Sequence, residues 1–433
     1  MTSRRTFLKL SSLSAVAAGS ATLSAQPASA PPGGPLPPSI ASLTSMKAQA
    51  TPITAAERRA RVEKARQLMA TAGIDALLLT GGTSLVYFAN VRWWTSERFF
   101  GIVIPTKGTP FVVCPAFEED RAREQLALGP FADADLRTWE EHEDPYARVR
   151  DALKDRGLAT AALGIEETTR FVFSDGVAKA APAIRPVSGS PVTAGCRGVK
   201  DAHEIALMRL AAAVTLKAYD AAYRALREGM TQSDFGRLVS QAHQQLGFQG
   251  SAGVQVGEYS ALPHGSATPQ VIREGSILLI DGGCSVEGYV SDISRTFVLG
   301  KATDRMKTVF EVTRRAQDAA LAAARPGVPC EAVDAAARRV IDDAGFGPGY
   351  KHFTHRLGHG MGMDGHEWPY LVKGNTLPLQ PGMTFSNEPG IYVRGEFGVR
   401  VEDDMLITAN GAELFTPQSP SLEQPFGEPR TGE

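Results

Sequence analysis

Five residues in the C-terminal part of the chain are of types that do chemistry together. Asp281 ends the apolar run Ile277-Leu278-Leu279-Ile280, and Asp292 follows eleven positions later in Val290-Ser291-Asp292-Ile293. Two antiparallel strands joined by a short loop would set these carboxylates side by side. Like charges at that distance repel and call for a cation. Taken alone, Asp281-Gly282 also reads as an ordinary turn and Asp292 as an exposed strand residue.

His359 stands among Gly358, Gly360, Gly362 and Gly365, with His355 and His366 in the same segment. Glycines remove the side chains that would pack a structural histidine, and they let backbone approach a ligand. Glu388 ends the apolar stretch Phe385-Ser386-Asn387, just before Pro389-Gly390. Glu402 lies in Gly398-Val399-Arg400-Val401-Glu402-Asp403-Asp404, where strand alternation puts Arg400, Glu402 and Asp404 on one face. Asp281, Asp292, Glu388 and Glu402 carry four negative charges, which two divalent ions balance. Four carboxylates and one imidazole form an oxygen-rich set that suits Mn, Co or Fe, with Zn still open. Two such ions can share a water, lower its pKa and stabilise an oxyanion.

These residues need a scaffold. Residues 31–54, rich in Pro, Gly, Ser and Ala, read as a linker unable to order itself. From Ala55 to Pro191 helix and strand signals alternate: helices over 55–72 and 144–156, strands at 76–79, 101–104, 111–113 and 163–165. This is the pattern of an α/β layer domain. The glycines and proline of 188–200 read as a joint. Ile205, Met208, Ala212, Leu216, Tyr219, Tyr223 and Leu226 then share one helix face, and Thr231 caps a second helix. Strand-rich segments follow, then helices near 304–324 and 330–344, then more strands. No internal repeat is evident.

The order Asp281, Asp292, His359, Glu388, Glu402 within these flanking motifs resembles the pita-bread metallopeptidases, in the branch of aminopeptidase P, prolidase and creatinase. The resemblance covers roughly residues 55–415. It implies a creatinase-like α/β domain at 55–190 and an α+β pita-bread catalytic domain at 199–420. It further implies that Asp281 chelates one metal, Asp292 and Glu402 bridge two, and His359 and Glu388 complete the other shell. Manganese is the favoured ion. His264 falls near the leaving group, and His366 near the substrate carbonyl. His355 and Tyr392 fall on pocket positions, and Arg400 where it can orient a bridging carboxylate. The implied reaction is attack by a metal-bridging hydroxide on the amide of an Xaa-Pro peptide, with Glu388 helping to take the water's proton. A homodimer is implied by analogy.

One departure stands out. Some prolidase-like members follow His-Glu-Trp-Pro with an Arg that holds a dipeptide's carboxylate, but here Pro369 is followed by Tyr370. Arg394 and Lys373 are the cations considered in its place. Trp93-Trp94 reads either as a substrate wall or as two partly buried aromatics. His142, His203 and His243 have no visible chemical partner. Two other readings are a non-peptide hydrolase or lyase using the same site, and a non-catalytic binding module.

The net charge of −2 gives no argument for nucleic acid. No apolar run approaches the roughly 18 residues a membrane helix needs. Cys114, Cys196, Cys284 and Cys330 form no Cys-x-x-Cys, so a zinc ribbon or redox motif is excluded, while disulfides stay open. Residues 1–30, with Arg4-Arg5-Thr6-Phe7-Leu8-Lys9 and the ending Ala28-Ser29-Ala30, read as a twin-arginine signal peptide and imply a periplasmic or secreted protein.

Overall fold

The computed structural model describes residues 34–428; the signal-peptide reading of 1–30 lies outside them. The described chain opens with α1 (Pro38–Ala41), α2 (Ala55–Ala72), β1 (Ala76–Leu79), α3 (Gly82–Ala89), β2 (Gly101–Pro105) and β3 (Phe111–Pro115). It continues with α4 (Glu119–Ala127), β4 (Asp135–Trp139), α5 (Pro145–Asp155), β5 (Ala162–Ile165), α6 (Phe171–Ala180), β6 (Arg185–Ser188) and α7 (Ser190–Arg197). The six strands form one mixed sheet in the order β4-β3-β2-β1-β5-β6. Strands β1 to β3 are buried throughout, as expected of apolar runs covered on both faces. Thr54 and Glu57 close a capping box that starts α2, and left-handed Gly73 ends it.

The second half begins with the helix pair α8 (Ala202–Ala225) and α9 (Gln232–Gln245). Both start from capping boxes, Asp201 with Glu204 and Thr231 with Asp234. They pack on the antiparallel sheet of β7 (Gln249–Val256), β8 (Ile277–Val286), β9 (Tyr289–Val290) and β10 (Ile293–Val298). A second helix pair, α10 (Asp304–Ala323) and α11 (Cys330–Ile341), covers a second sheet. That sheet is built from β11 (Gly358–Gly360), β12 (Glu367–Leu371) and β13 (Thr384–Asn387), then, past the hairpin β14 (Gly390–Val393) and β15 (Phe397–Arg400), from β16 (Asp403–Ile407) and β17 (Ala412–Leu414). Each helix pair thus backs an antiparallel sheet, and the unbacked faces are left for a site.

Two expectations are corrected. Residues 35–54 are no loose linker: Ile40, Met46 and Ile53 are buried in the core against Leu207, Met208 and Leu246. The Met46 amide donates to the Leu246 carbonyl and the Ser39 hydroxyl to that of Ala221. Composition hid four well-spaced apolar anchors, Leu36 included. The supposed joint at 188–200 is mostly α7, with Pro191 in its first turn, where no N–H is needed. Val192 and Cys196 of α7 are buried in the first domain's core, which therefore extends past 190. All four cysteines are buried and unpaired. No helix among the described residues is long and apolar enough to cross a membrane.

Candidate metal centre

Strand register brings the acidic groups together. Ser294 of β10 lies opposite Asp281 of β8, and Asp292 sits just before β10. His359 is the middle residue of β11, a strand held between β12 and β13. Glu388 follows β13 directly. Glu402 falls in the break between β15 and β16, rather than inside one strand, and its amide donates to the Ser294 carbonyl. Asn387 and Asp403 pair across β13 and β16, so Glu388 and Glu402 leave the sheet at neighbouring points.

The glycines around His359 serve backbone contact between strands more than contact with a ligand. A Cβ on Gly358 would lie 2.0 Å from the Ser386 carbonyl oxygen, and one on Gly360 would lie 2.7 Å from that of Glu367. Neither position tolerates a side chain, which is how β11 fits between its neighbours.

Ligand atoms of Asp281, Asp292 and Glu402 lie within 4.8 Å of one another, and so do those of His359, Glu388 and Glu402. A third such group joins Asp292, His359 and His366. Glu402, Asp292 and His359 each belong to two of these groups, so the groups adjoin one another. The His359 Nδ1–H donates to the Gly360 carbonyl, 3.2 Å away, so Nε2 faces the carboxylates, 3.3 Å from Glu388 and 3.8 Å from Asp292. With Nδ1–H fixed in this way, release of the Nε2 proton to an incoming cation would leave a metal-binding lone pair inward. The donor set therefore fits divalent ions.

Electrostatics point the same way. Burial, then the charge of Asp281, pushes the Asp292 carboxyl up to about 7. Burial, Asp292 and Glu388 push Glu402 well above the carboxylate range. Burial also works against a charged Glu388, yet its bond from His359 and the neighbouring His355, His359 and Arg400 together outweigh this and hold it at about 2. The cluster cannot ionise fully on protein charges alone; added cations would release its protons. The Ser294 hydroxyl reaches both Asp281 (2.7 Å) and Glu402 (2.6 Å) while accepting from Arg400 Nε (2.8 Å). It has one proton to give, so one of those carboxyls must carry its own, in accord with Glu402.

These groups line a cavity of about 430 Å³ with His264, His355, His366, Arg356 and Arg400. A larger cleft of about 720 Å³, beside Trp368 and Pro191, holds no metal-ligating cluster, so chemistry rather than size marks the site. Arg400 reaches Asp281 at 2.6 Å and Glu402 at 3.7 Å. Tyr392 does not line the cavity, contrary to expectation. It is buried behind the wall, where its hydroxyl accepts from Arg400 (3.1 Å) and donates to His355 Nε2 (2.8 Å). The His355 Nδ1–H donates to the Arg356 carbonyl, 2.7 Å away, which fixes that direction. Tyr392 and Arg400 thus hold other side chains in place, Arg400 while also lining the cavity. Trp93 is buried on Phe100, Trp94 is exposed, and neither reaches this cavity.

Sequence reading missed Ser294 and Ser386. Ser386 Oγ accepts from the His359 amide and lies 3.2 Å from Glu388. Each serine sits two residues from an acid, and period-two spacing was the signal available. Asp404, expected on the Glu402 face, was given no role. It is fully buried, accepting from the Asp292 amide at 3.2 Å.

Residues 206–409 match the family model described as metallopeptidase family M24, and residues 61–199 match the creatinase/prolidase N-terminal domain. An Xaa-Pro dipeptidase of Lactobacillus delbrueckii subsp. lactis is 33% identical, over 84% of this chain and 98% of its own length. A probable dipeptidase, PepE, of Mycobacterium tuberculosis is 36% identical, over 81% of this chain and 92% of its own. The crystal structure of dipeptidase PepE from Mycobacterium ulcerans superposes with a TM-score of 0.79 at 34% identity, over 85% of this chain and 97% of that one.

Proposed function

The chain belongs to metallopeptidase family M24, and from that premise we propose that it hydrolyses the amide bond of Xaa-Pro dipeptides at a site holding two divalent ions. The observation that carries the reading is the convergence of Asp281, Asp292, His359, Glu388 and Glu402 into adjoining ligand groups that share Asp292, His359 and Glu402. Divalent ions held there would polarise a carbonyl and make water a nucleophile near neutral pH.

The protein's own groups do the rest. Glu388 is charged and is placed to take a proton from water. His366 Nδ1 accepts from Arg356, which has no acceptor capacity, so its remaining proton is on Nε2, free to donate to a carbonyl oxygen as charge develops. His264, on the same wall, is the candidate to deliver a proton to the departing nitrogen.

Metal analysis should find close to two ions per chain, manganese first. A panel of Xaa-Pro dipeptides, longer Xaa-Pro peptides and non-proline controls then tests the substrate. No acceleration of any Xaa-Pro substrate with metal supplied removes the reading and leaves a non-peptide amide; no metal bound leaves a binding module. A homodimer and export by the twin-arginine route complete the proposal. Sedimentation tests the first, and cell fractionation of an Arg4→Lys/Arg5→Lys variant tests the second.

A further inference from the structure

The cavity wall carries two guanidinium groups, Arg356 and Arg400. Arg400 is committed to Asp281, Glu402, Ser294 and Tyr392. Arg356 has no carboxylate partner among the described residues. Its guanidinium carbon lies 4.1 Å above the ring of Tyr370, and Nη2 donates to His366 Nδ1 at 3.0 Å. A ring contact below and one hydrogen bond at the side hold the group in place. Nε and Nη1 are left without a protein acceptor among the described residues, on a half-buried side chain that faces the cavity.

A fixed, unspent cation beside a nest of carboxylates selects for orientation. With Asp281, Asp292, Glu388 and Glu402 balanced by the proposed ions, a substrate carboxylate needs its own cation, and Arg356 is the guanidinium on the wall with no carboxylate partner. Arg356 adjoins His366, the group placed to hold the scissile carbonyl. One residue of peptide spans roughly 3.3–3.6 Å. A carboxylate one residue beyond the scissile bond therefore falls within reach of Arg356, and the fork geometry of a guanidinium suits it. Arg394 and Lys373, the cations considered from sequence in place of an Arg at Tyr370, are both exposed and neither lines the cavity. Tyr370 instead supplies the ring on which Arg356 rests.

We propose that Arg356 binds the free C-terminal carboxylate of a dipeptide and so sets the preference for substrates that end one residue after the scissile bond. This rests on the Xaa-Pro reading of the same site. The test compares one Xaa-Pro dipeptide with its C-terminal amide, on the metal-loaded wild type, Arg356→Ala and Arg356→Lys, with bound metal and thermal midpoint measured for each.

Wild type should favour the acid. Arg356→Ala should raise KM for the acid about 10- to 100-fold, the loss of one charged hydrogen-bonded contact, and change KM for the amide far less. Arg356→Lys should fall between, and it decides the matter if the alanine variant does not fold. Equal losses on acid and amide, or a loss confined to kcat, would mean that Arg356 acts only through His366 and overturn the proposal. A wild type indifferent to the amide overturns it as well. A wild type that cleaves neither compound refutes the Xaa-Pro reading itself, a separate result.

Discussion

The ring of His366 lies flat on the ring of His359, with centroids 3.7 Å apart and planes 15° from parallel. Burial first, then His359 and Arg356, drives the His366 pKa down to about 4. At neutral pH it is an uncharged donor beside a ligand-type histidine. Replacing His366 with Ala should lower kcat by about 10²–10⁴-fold, the range for a positioned proton or hydrogen-bond donor, with two ions still bound. Loss of one ion in the variant would instead make His366 a ligand, as its grouping with Asp292 and His359 allows.

Asp292 stands in ligand groups on both sides of the centre. Asp292→Ala should abolish activity and weaken the binding of both ions while leaving a folded protein, because β8 and β10 pair without its side chain. Turnover near the wild-type level, measured with metal in excess, would remove Asp292 from the centre.

Ser294 connects Asp281, Glu402 and Arg400 through one oxygen. Ser294→Ala leaves the carboxylates present but unoriented. Metal affinity should fall about 10- to 100-fold, the usual cost of removing a partner that orients ligands. Competition against a chelator reads it directly, and unchanged affinity would show that the carboxylates orient themselves.

The parts legible in the sequence were those with local signals. The helix over 55–72, read from its periodicity, has those bounds, and Thr54, Glu57 and Gly73 are the local signals that set them. The acids were found because Asp281 and Glu388 each close an apolar run, although β8 continues past Asp281 to Val286. Lateral contacts were not legible. Glu402 was placed inside a strand because nothing in Val401-Glu402 marks the switch from one sheet to another. Tyr392 was placed in the pocket by the family resemblance; that its hydroxyl is taken up by Arg400 and His355 depends on the pairing of β14 with β15 and on the 352–355 segment packing against β14, neither of which has a local signal. The core role of Ile40 and Met46 depends on α8, far along the chain, and local composition argued against it.

Glu367, next to His366, is buried between Lys200 at 3.1 Å and Arg197. Burial alone would raise its pKa, but the Lys200 ammonium and the Arg197 guanidinium outweigh burial and hold it at about 2, against an ordinary 4.5. The folded state therefore binds this proton less readily than the unfolded chain. The stabilisation is complete above pH 4.5 and is lost as pH falls from 4.5 toward 2. A shift of this size corresponds to about 3 kcal/mol. Denaturant titrations of wild type and Glu367→Gln should differ by roughly that amount at pH 7 and converge toward pH 2. A difference independent of pH would refute the linkage.

The two domains are clasped by buried polar groups whose members are as far as 228 positions apart in sequence. Arg61 of α2 donates to the Tyr289 hydroxyl at 2.8 Å, Tyr289 donates to Glu204 at 2.7 Å, and Arg61 lies 3.4 Å from Glu204. Tyr289 forms β9, three residues before Asp292, so the clasp ties the first domain to the loop that carries a ligand. Arg61→Met strands Glu204 as a buried charge without its cation, which costs about 3–5 kcal/mol. Arg61→Met/Glu204→Gln removes both charges and should recover most of that stability. If the loop depends on the clasp, the double variant should also bind metal more weakly than wild type despite its regained stability. Wild-type metal affinity in a stable double variant would make the clasp a fastening between domains and nothing more.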